Sequence, residues 1–240
     1  MSAVALQTGM DLEADTFPSV LAVLRFTLRD PQTNLPLRPT ELQFSHERLV
    51  HLFVVRSDLS LFLHEHPEWE TNQWKGVAFV REPGTYDVYA DVVTTDGREL
   101  TYHRTITITG SASVLPPPTP NTTAVDTTTT GTLTVAGSGV ERELAVRLTD
   151  TTSGAPITTI APYLGAFGHA VVIRQDDRST VLHTHPMTDA RPIDGVLTFR
   201  AEGLTPGMYT AFVQSIVGGG IVTLPFTFEV ATALEGGDGR

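Results

Sequence analysis

The sequence predicts an all-β protein: two tandem antiparallel β-sandwich domains. Each half holds about seven short runs rich in Val, Leu, Thr, Phe and Tyr, divided by Gly, Pro, Asp and Asn, which is the cadence of a sandwich. The runs recur in the same order in both halves, so one unit has been duplicated. No long stretch carries a helical period.

Taken in order, LAVLRFTLRDPQTNLPLRP (21–39) alternates as a half-buried strand, then breaks into a turn-rich hairpin with a Pro-bounded exit. ELAVRLTDTTSGAPITTIAP (143–162) repeats it. HLFVVRSDLSLFLHEHP (51–67) and HAVVIRQDDRSTVLHTHP (169–186) each read as a histidine, an apolar strand, a polar turn, a second strand and then His-x-His-Pro. EPGTYDVYADV (82–92) matches TPGMYTAFVQS (205–215), with Tyr86 and Tyr209 at equal positions after Pro-Gly. The last strands are TYHRTITIT (101–109) and VTLPFTFEV (222–230). Trp74 to Ile108 is expected to form a meander with Asp96-Gly97 as a hairpin turn, and Gly218-Gly219-Gly220 reads as another turn. The Pro- and Thr-rich segment 113–130 is expected to link domains 1–112 and 131–240, the alternative being that part of it starts the second domain. Each domain then has about 105 residues, enough for its own core.

Composition narrows function. Sixteen basic residues against 27 acidic give a net charge of −11, shared by both halves, which argues against nucleic acid and anionic membranes as partners. With no cysteine there are no disulfides, thiolate metal sites or cysteine nucleophiles. No apolar run reaches the ~18 residues of a membrane span. MSAVALQTGMDLEAD has neither a basic nor a long apolar region, so no signal peptide is read there.

The eight histidines carry the chemistry, because six sit in the two matching frames. If 51–67 is a hairpin about Ser57–Leu59, His51 lies opposite His64 or His66; likewise His169 lies opposite His183 or His185. His64 and His66 are two apart, on one face and roughly 6.6–6.8 Å apart along the strand. The third imidazole comes within ~4.5–8 Å at the Cβ level. Three such rings can meet a metal with N–metal bonds of ~2.0–2.1 Å, and an all-imidazole set suits zinc or copper(II). The fourth ligand is open: Asp91 is a conceivable ligand, and its counterpart Gln214 is a better supporting group. Met187 and Met208 read as core or surface, and His46 and His103 as ordinary histidines outside the repeat. Structural hydrogen bonding of all six rings is the competing reading.

Two further readings compete. His64-Glu65-His66-Pro67-Glu68-Trp69-Glu70 looks like the first cupin metal motif, but EPGTYD has Asp87 where the later cupin histidine belongs, and Asp189 is a weaker acidic echo in the second half. Trp69 and Trp74 flank the His-x-His-Pro loop and would offer an aromatic patch to a protein or glycan if exposed, or cover the core if not. No Gly-x-Ser-x-Gly, Gly-x-Gly-x-x-Gly or phosphate loop is present.

HLFVVRSDLSLFLHEHPE, PGTYDVYADV, APYLGAFGHAVVI, VLHTHP and PGMYTAFVQS together resemble a mostly uncharacterised family of bacterial extracytoplasmic proteins. These have one or two immunoglobulin-like, cupredoxin-like sandwich units bearing His-x-His-Pro, and some are similar to periplasmic copper-handling β-domains. The resemblance implies that His51, His64, His66, His169, His183 and His185 are a shared polar set, and it implies export. The expectation is therefore a non-enzymatic protein binding copper or zinc in each repeat, for storage, delivery or sensing. A protein- or glycan-binding module is the alternative, with oligomeric state open.

Overall fold

The structure is a computed structural model that describes residues 5–18, 22–113, 115–178 and 180–232. Part of the N-terminal segment read above, and Leu21, Val114 and Ser179, lie outside the described residues. The chain divides into two compact units, Val4–Pro118 and Thr119–Arg240.

The first unit contains β1 (Leu6–Gln7), β2 (Met10–Leu12), β3 (Thr16–Phe17), β4 (Ala22–Leu28), β5 (Leu42–Gln43), β6 (His51–Arg56), β7 (Phe62–Glu65), β8 (Glu68–Glu70), β9 (Gln73–Ala78), β10 (Gly84–Thr94) and β11 (Glu99–Ile108). The second contains β12 (Thr123–Asp126), β13 (Thr129–Ala136), β14 (Glu141–Asp150), β15 (Ile160–Ala161), β16 (His169–Arg174), β17 (Val181–Thr184), β18 (Val196–Glu202), β19 (Gly207–Val217) and β20 (Gly220–Val230). A single 3-10 turn, Pro39–Glu41, is the helical element among the described residues.

In the first unit one sheet runs β2-β4-β9-β8 and the other β11-β10-β6-β7; the second repeats this as β13-β14-β18 and β20-β19-β16-β17. The order is that of the immunoglobulin-like sandwich: consecutive hairpins are joined within each sheet by pairs distant in sequence, β4 with β9 and β6 with β10 in the first unit, β14 with β18 and β16 with β19 in the second. Both units also carry its tyrosine corner. The Tyr86 hydroxyl donates to the Glu82 carbonyl at 2.7 Å, and the Tyr209 hydroxyl to the Thr205 carbonyl at 2.9 Å.

Period-two alternation builds each core. Ala22, Leu24, Phe26 and Leu28 of β4 are buried while the residues between them are half-buried. They share a core with Leu52 and Val54 of β6 and Val88 and Ala90 of β10. In the second unit Leu144, Val146 and Leu148 of β14 meet Ala170 and Val172 of β16 and Ala211 and Val213 of β19. Each fully buried Val, Leu or Phe contributes about 1.5–3 kcal/mol. The exits from β4 and β14 are closed by matching aspartates: Asp30 accepts from the Gln32 and Thr33 amides, and Asp150 from those of Thr152 and Ser153.

Three expectations are modified, and one left open is decided. Trp74–Ile108 is not one meander, because β9 pairs with β4 in the sheet facing β10 and β11. Trp74 is the cause: its ring is buried in the core and its indole N–H donates to the Leu37 carbonyl at 3.0 Å, which fixes β9 there. Only β10 and β11 form the hairpin, turning at Asp96-Gly97 with Gly97 at φ 87°. Thr123–Asp126, inside the segment read as a linker, is strand β12, paired with β13. The pairing is antiparallel except where β1 and β3 lie parallel to β11. Of the two readings of the tryptophans the core-covering one holds: Trp69 is half-buried against the buried Trp74, with ring centroids 5.1 Å apart.

Candidate metal centres

Because Leu52 and Val54 face the core, His51 and Phe53 point to the opposite face of their sheet; His169 does the same opposite Ala170 and Val172. The β6–β7 register sets Phe53 against His64, and the next same-face pair in that register is His51 with His66. The β16–β17 register sets Val171 against His183, and so His169 across from His185. The first histidine of each frame is thus opposite the third and diagonal to the second.

The rings meet. In the second unit, one nitrogen from each of His169, His183 and His185 lies within 4.8 Å of the other two. His169 Nδ1 is 2.9 Å from His185 Nε2 and 3.4 Å from His183 Nε2. In the first unit His51 Nδ1 is 3.2 Å from His64 Nε2. The His66 ring stands edge-on to His51, with centroids 5.2 Å apart, and 4.6 Å from that of His64.

The other nitrogen of each leading histidine decides its tautomer. His51 Nε2 lies 2.9 Å from the Ser45 carbonyl, and His169 Nε2 lies 2.7 Å from the Tyr163 carbonyl. A carbonyl only accepts, so in both rings Nε2 carries the hydrogen and Nδ1 of the neutral ring keeps its lone pair toward the cluster. This is the arrangement by which a metal-ligating histidine is oriented.

The carbonyls are presented by a device repeated in both units. The lane beside β10 begins with β5, leaves the sheet, and resumes at β6; β15 and β16 do the same beside β19. Each interruption is a tight turn, Ser45 to Arg48 and Tyr163 to Ala166, closed by reciprocal backbone hydrogen bonds. The central residues have positive φ: His46 at 46° and Glu47 at 65°, Leu164 at 49° and Gly165 at 75°. Sequence reasoning missed Ser45 and Tyr163. Their one signal was position, six residues before the leading histidine in both halves, since His46-Glu47 is not an evident turn pair.

Asp91 lies directly across from His51 on β10, and Gln214 across from His169 on β19. Burial pushes the Asp91 carboxyl up to about 7, although Thr101 donates to it at 2.9 Å. A cation bound beside it would pull that value down again. Gln214 donates to the Thr223 hydroxyl at 3.0 Å. No carboxylate joins the converging nitrogens among the described residues.

The cupin comparison finds no support in the geometry. Glu70 sits on the other sheet and is paired with Lys75 at 2.9 Å and Arg25 at 3.2 Å. Asp189 is exposed. Asp87 pairs with His103 at 2.8 Å, so His103 is a structurally satisfied histidine, stacked on Tyr89. Met187 is exposed and Met208 half-buried.

The fold and site define a class: tandem immunoglobulin-like sandwiches bearing a three-imidazole cluster on the outer face of one sheet in each unit. The chain belongs to the family described as a domain of unknown function, DUF8832, which matches it over residues 7–110 and again over 122–232. No curated protein matches it. Among solved structures it is similar to trypsin-activated alpha-2-macroglobulin from Escherichia coli, at 12% identity and a TM-score of 0.28 over 95% of this chain. The chain spans 16% of the length of that protein. It is also similar to fibronectin(III)-like modules of Clostridium thermocellum CbhA, at 9% identity and a TM-score of 0.25, covering 92% of each chain. No helix among the described residues is long and apolar enough to cross a membrane.

Proposed function

We propose that this protein is a non-enzymatic metal-binding protein that takes copper or zinc at His51, His64 and His66 in one unit and at His169, His183 and His185 in the other. One observation carries the reading: in both units a backbone carbonyl fixes the leading imidazole so that its Nδ1 lone pair faces the cluster, toward His64 in the first unit and toward both His183 and His185 in the second. Two nitrogens bound to one ion through ~2.05 Å bonds stand about 2.9 Å apart at a right angle and about 3.3 Å apart at the tetrahedral angle. The approaches of 2.9, 3.2 and 3.4 Å fall in or beside that range. A neutral Nδ1 has one lone pair and can accept one hydrogen, whereas in the second unit two Nε2 atoms face it; an ion satisfies all three. Imidazole ligation without thiolate favours copper(II) or zinc and tolerates an oxidising compartment, in keeping with export.

The test is titration of metal-free protein with Cu(II) and with Zn(II), with bound metal measured by elemental analysis. The reading expects about two ions per chain, one lost in His66→Ala and one in His185→Ala. It also expects weakening below about pH 6 as the imidazoles protonate. Stoichiometry unchanged by either substitution, or no binding at all, overturns it and makes the histidines structural.

A further inference from the structure

The two imidazole clusters are alike in their ligands and unlike in what stands behind them. The difference lies at a single pair of positions with identical backbone placement. Asp91 is registered across from His51, and Gln214 across from His169, each on the strand next to the leading histidine and on the same face. Each is tied to a hydroxyl on the next strand again. Thr101 donates to Asp91 at 2.9 Å, while Gln214 donates to Thr223 at 3.0 Å. The direction of that hydrogen bond is reversed, because a carboxylate can only accept there whereas the Gln214 amide nitrogen donates.

The turn carbonyl has different company too. Ser45 is small and polar, whereas the Tyr163 ring stands edge-on to His169 with centroids 5.2 Å apart. The first cluster therefore has behind it a carboxyl group that a bound cation would hold ionised, and the second cluster has a neutral amide and an aromatic wall.

From this we propose that the two sites are unequal, that the first binds a divalent cation more tightly and fills first, and that Asp91 is the residue that sets the order. This rests on the metal-binding reading and extends it. Three imidazoles are neutral, so a divalent ion bound by them alone keeps its full charge in a partly desolvated place. A carboxylate within one cross-strand spacing offsets that charge, and a carboxamide offsets far less. Changes in the layer behind metal ligands typically alter affinity by 10–100-fold, and a difference of that size is expected between the sites.

The experiment is competitive titration of the full chain with Zn(II) against a chromophoric chelator. The chains compared are the wild type, Asp91→Gln, Gln214→Asp and the double exchange. His66→Ala and His185→Ala report each remaining site alone. Asp91→Gln places in the first unit the residue that the second already accommodates, and circular dichroism checks that the variant folds. Wild type should show two classes of site at least about tenfold apart. Asp91→Gln should bring them together by weakening the tighter one, and the double exchange should reverse which single-site variant binds more tightly. Two ions bound with equal affinity in wild type, or a gap unaffected by Asp91→Gln, overturn the proposal while leaving metal binding intact. No binding in any chain overturns the metal reading and this one with it.

Discussion

Adding one methyl group under the first histidine hairpin should damage both the core and the site above it. Gly76 of β9 is buried opposite Leu24. A Cβ built there would stand 2.7 Å from Leu52 Cδ2 and 3.5 Å from Pro67 Cγ, whereas ordinary contact begins at 3.4 Å. Leu52 must therefore retreat by about 0.7 Å, and it is fully buried in a packed core with nowhere to go. Overpacking of this kind costs about 1–3 kcal/mol, and the stiffer unfolded chain of an alanine returns about 0.4–1 kcal/mol. The net expectation for Gly76→Ala is a loss of about 1–2 kcal/mol. Leu52 follows His51 in β6, so the displacement reaches the leading member of the cluster, whereas Pro67, after His66, stays at ordinary contact distance. Metal affinity at the first site should fall by about tenfold with the second unchanged. Urea denaturation at equal m-values measures the first quantity, and metal titration of Gly76→Ala in a His185→Ala background measures the second. A variant as stable as the wild type would refute the claim that Leu52 and Pro67 fill the space over Gly76.

Other tests address the frame. Tyr86→Phe and Tyr209→Phe each remove one tyrosine-corner hydrogen bond, at 2.7 and 2.9 Å, and leave a carbonyl without that donor. Each should lower stability by about 1 kcal/mol in chemical denaturation, and no loss in either would deny the corner an energetic role. Burial pushes the Asp30 carboxyl up, but hydrogen bonds from Arg98 and from the Thr33 and Gln32 amides outweigh it and hold the group at about 2. Its folded value is thus below its unfolded one, so its contribution is present above about pH 4 and lost as pH falls through 2. Arg98→Ala should lower stability at pH 7, by an amount that solvent screening keeps small, with the difference from wild type shrinking between pH 5 and 2; a difference constant with pH would contradict that linkage.

Much of the architecture was legible because alternation reports burial directly. AVLRFTL in β4 alternates as written, and the duplicated histidine frames became duplicated hairpins. The hairpin register was legible only as a choice of two, since sequence does not place the turn to within one residue; pairing of Phe53 with His64 decides it. Trp74 misled in one way: its segment alternates like the strands after it, so nothing local showed that it crosses to the other sheet. Whether it and Trp69 formed a surface patch or covered the core was left open by the sequence, and the structure buries Trp74 in the core. The carbonyls of Ser45 and Tyr163 were illegible as chemistry, because any residue supplies a backbone carbonyl and only the fold aims it.

The most direct test is X-ray absorption at the zinc edge on the fully loaded chain, and on the His66→Ala and His185→Ala variants loaded at one site. The account predicts three imidazole nitrogens per ion at ~2.0–2.1 Å and no sulfur. A spectrum dominated by oxygen ligands, or unchanged in coordination when all six histidines are replaced, would show that the ion sits elsewhere and that the clusters are structural.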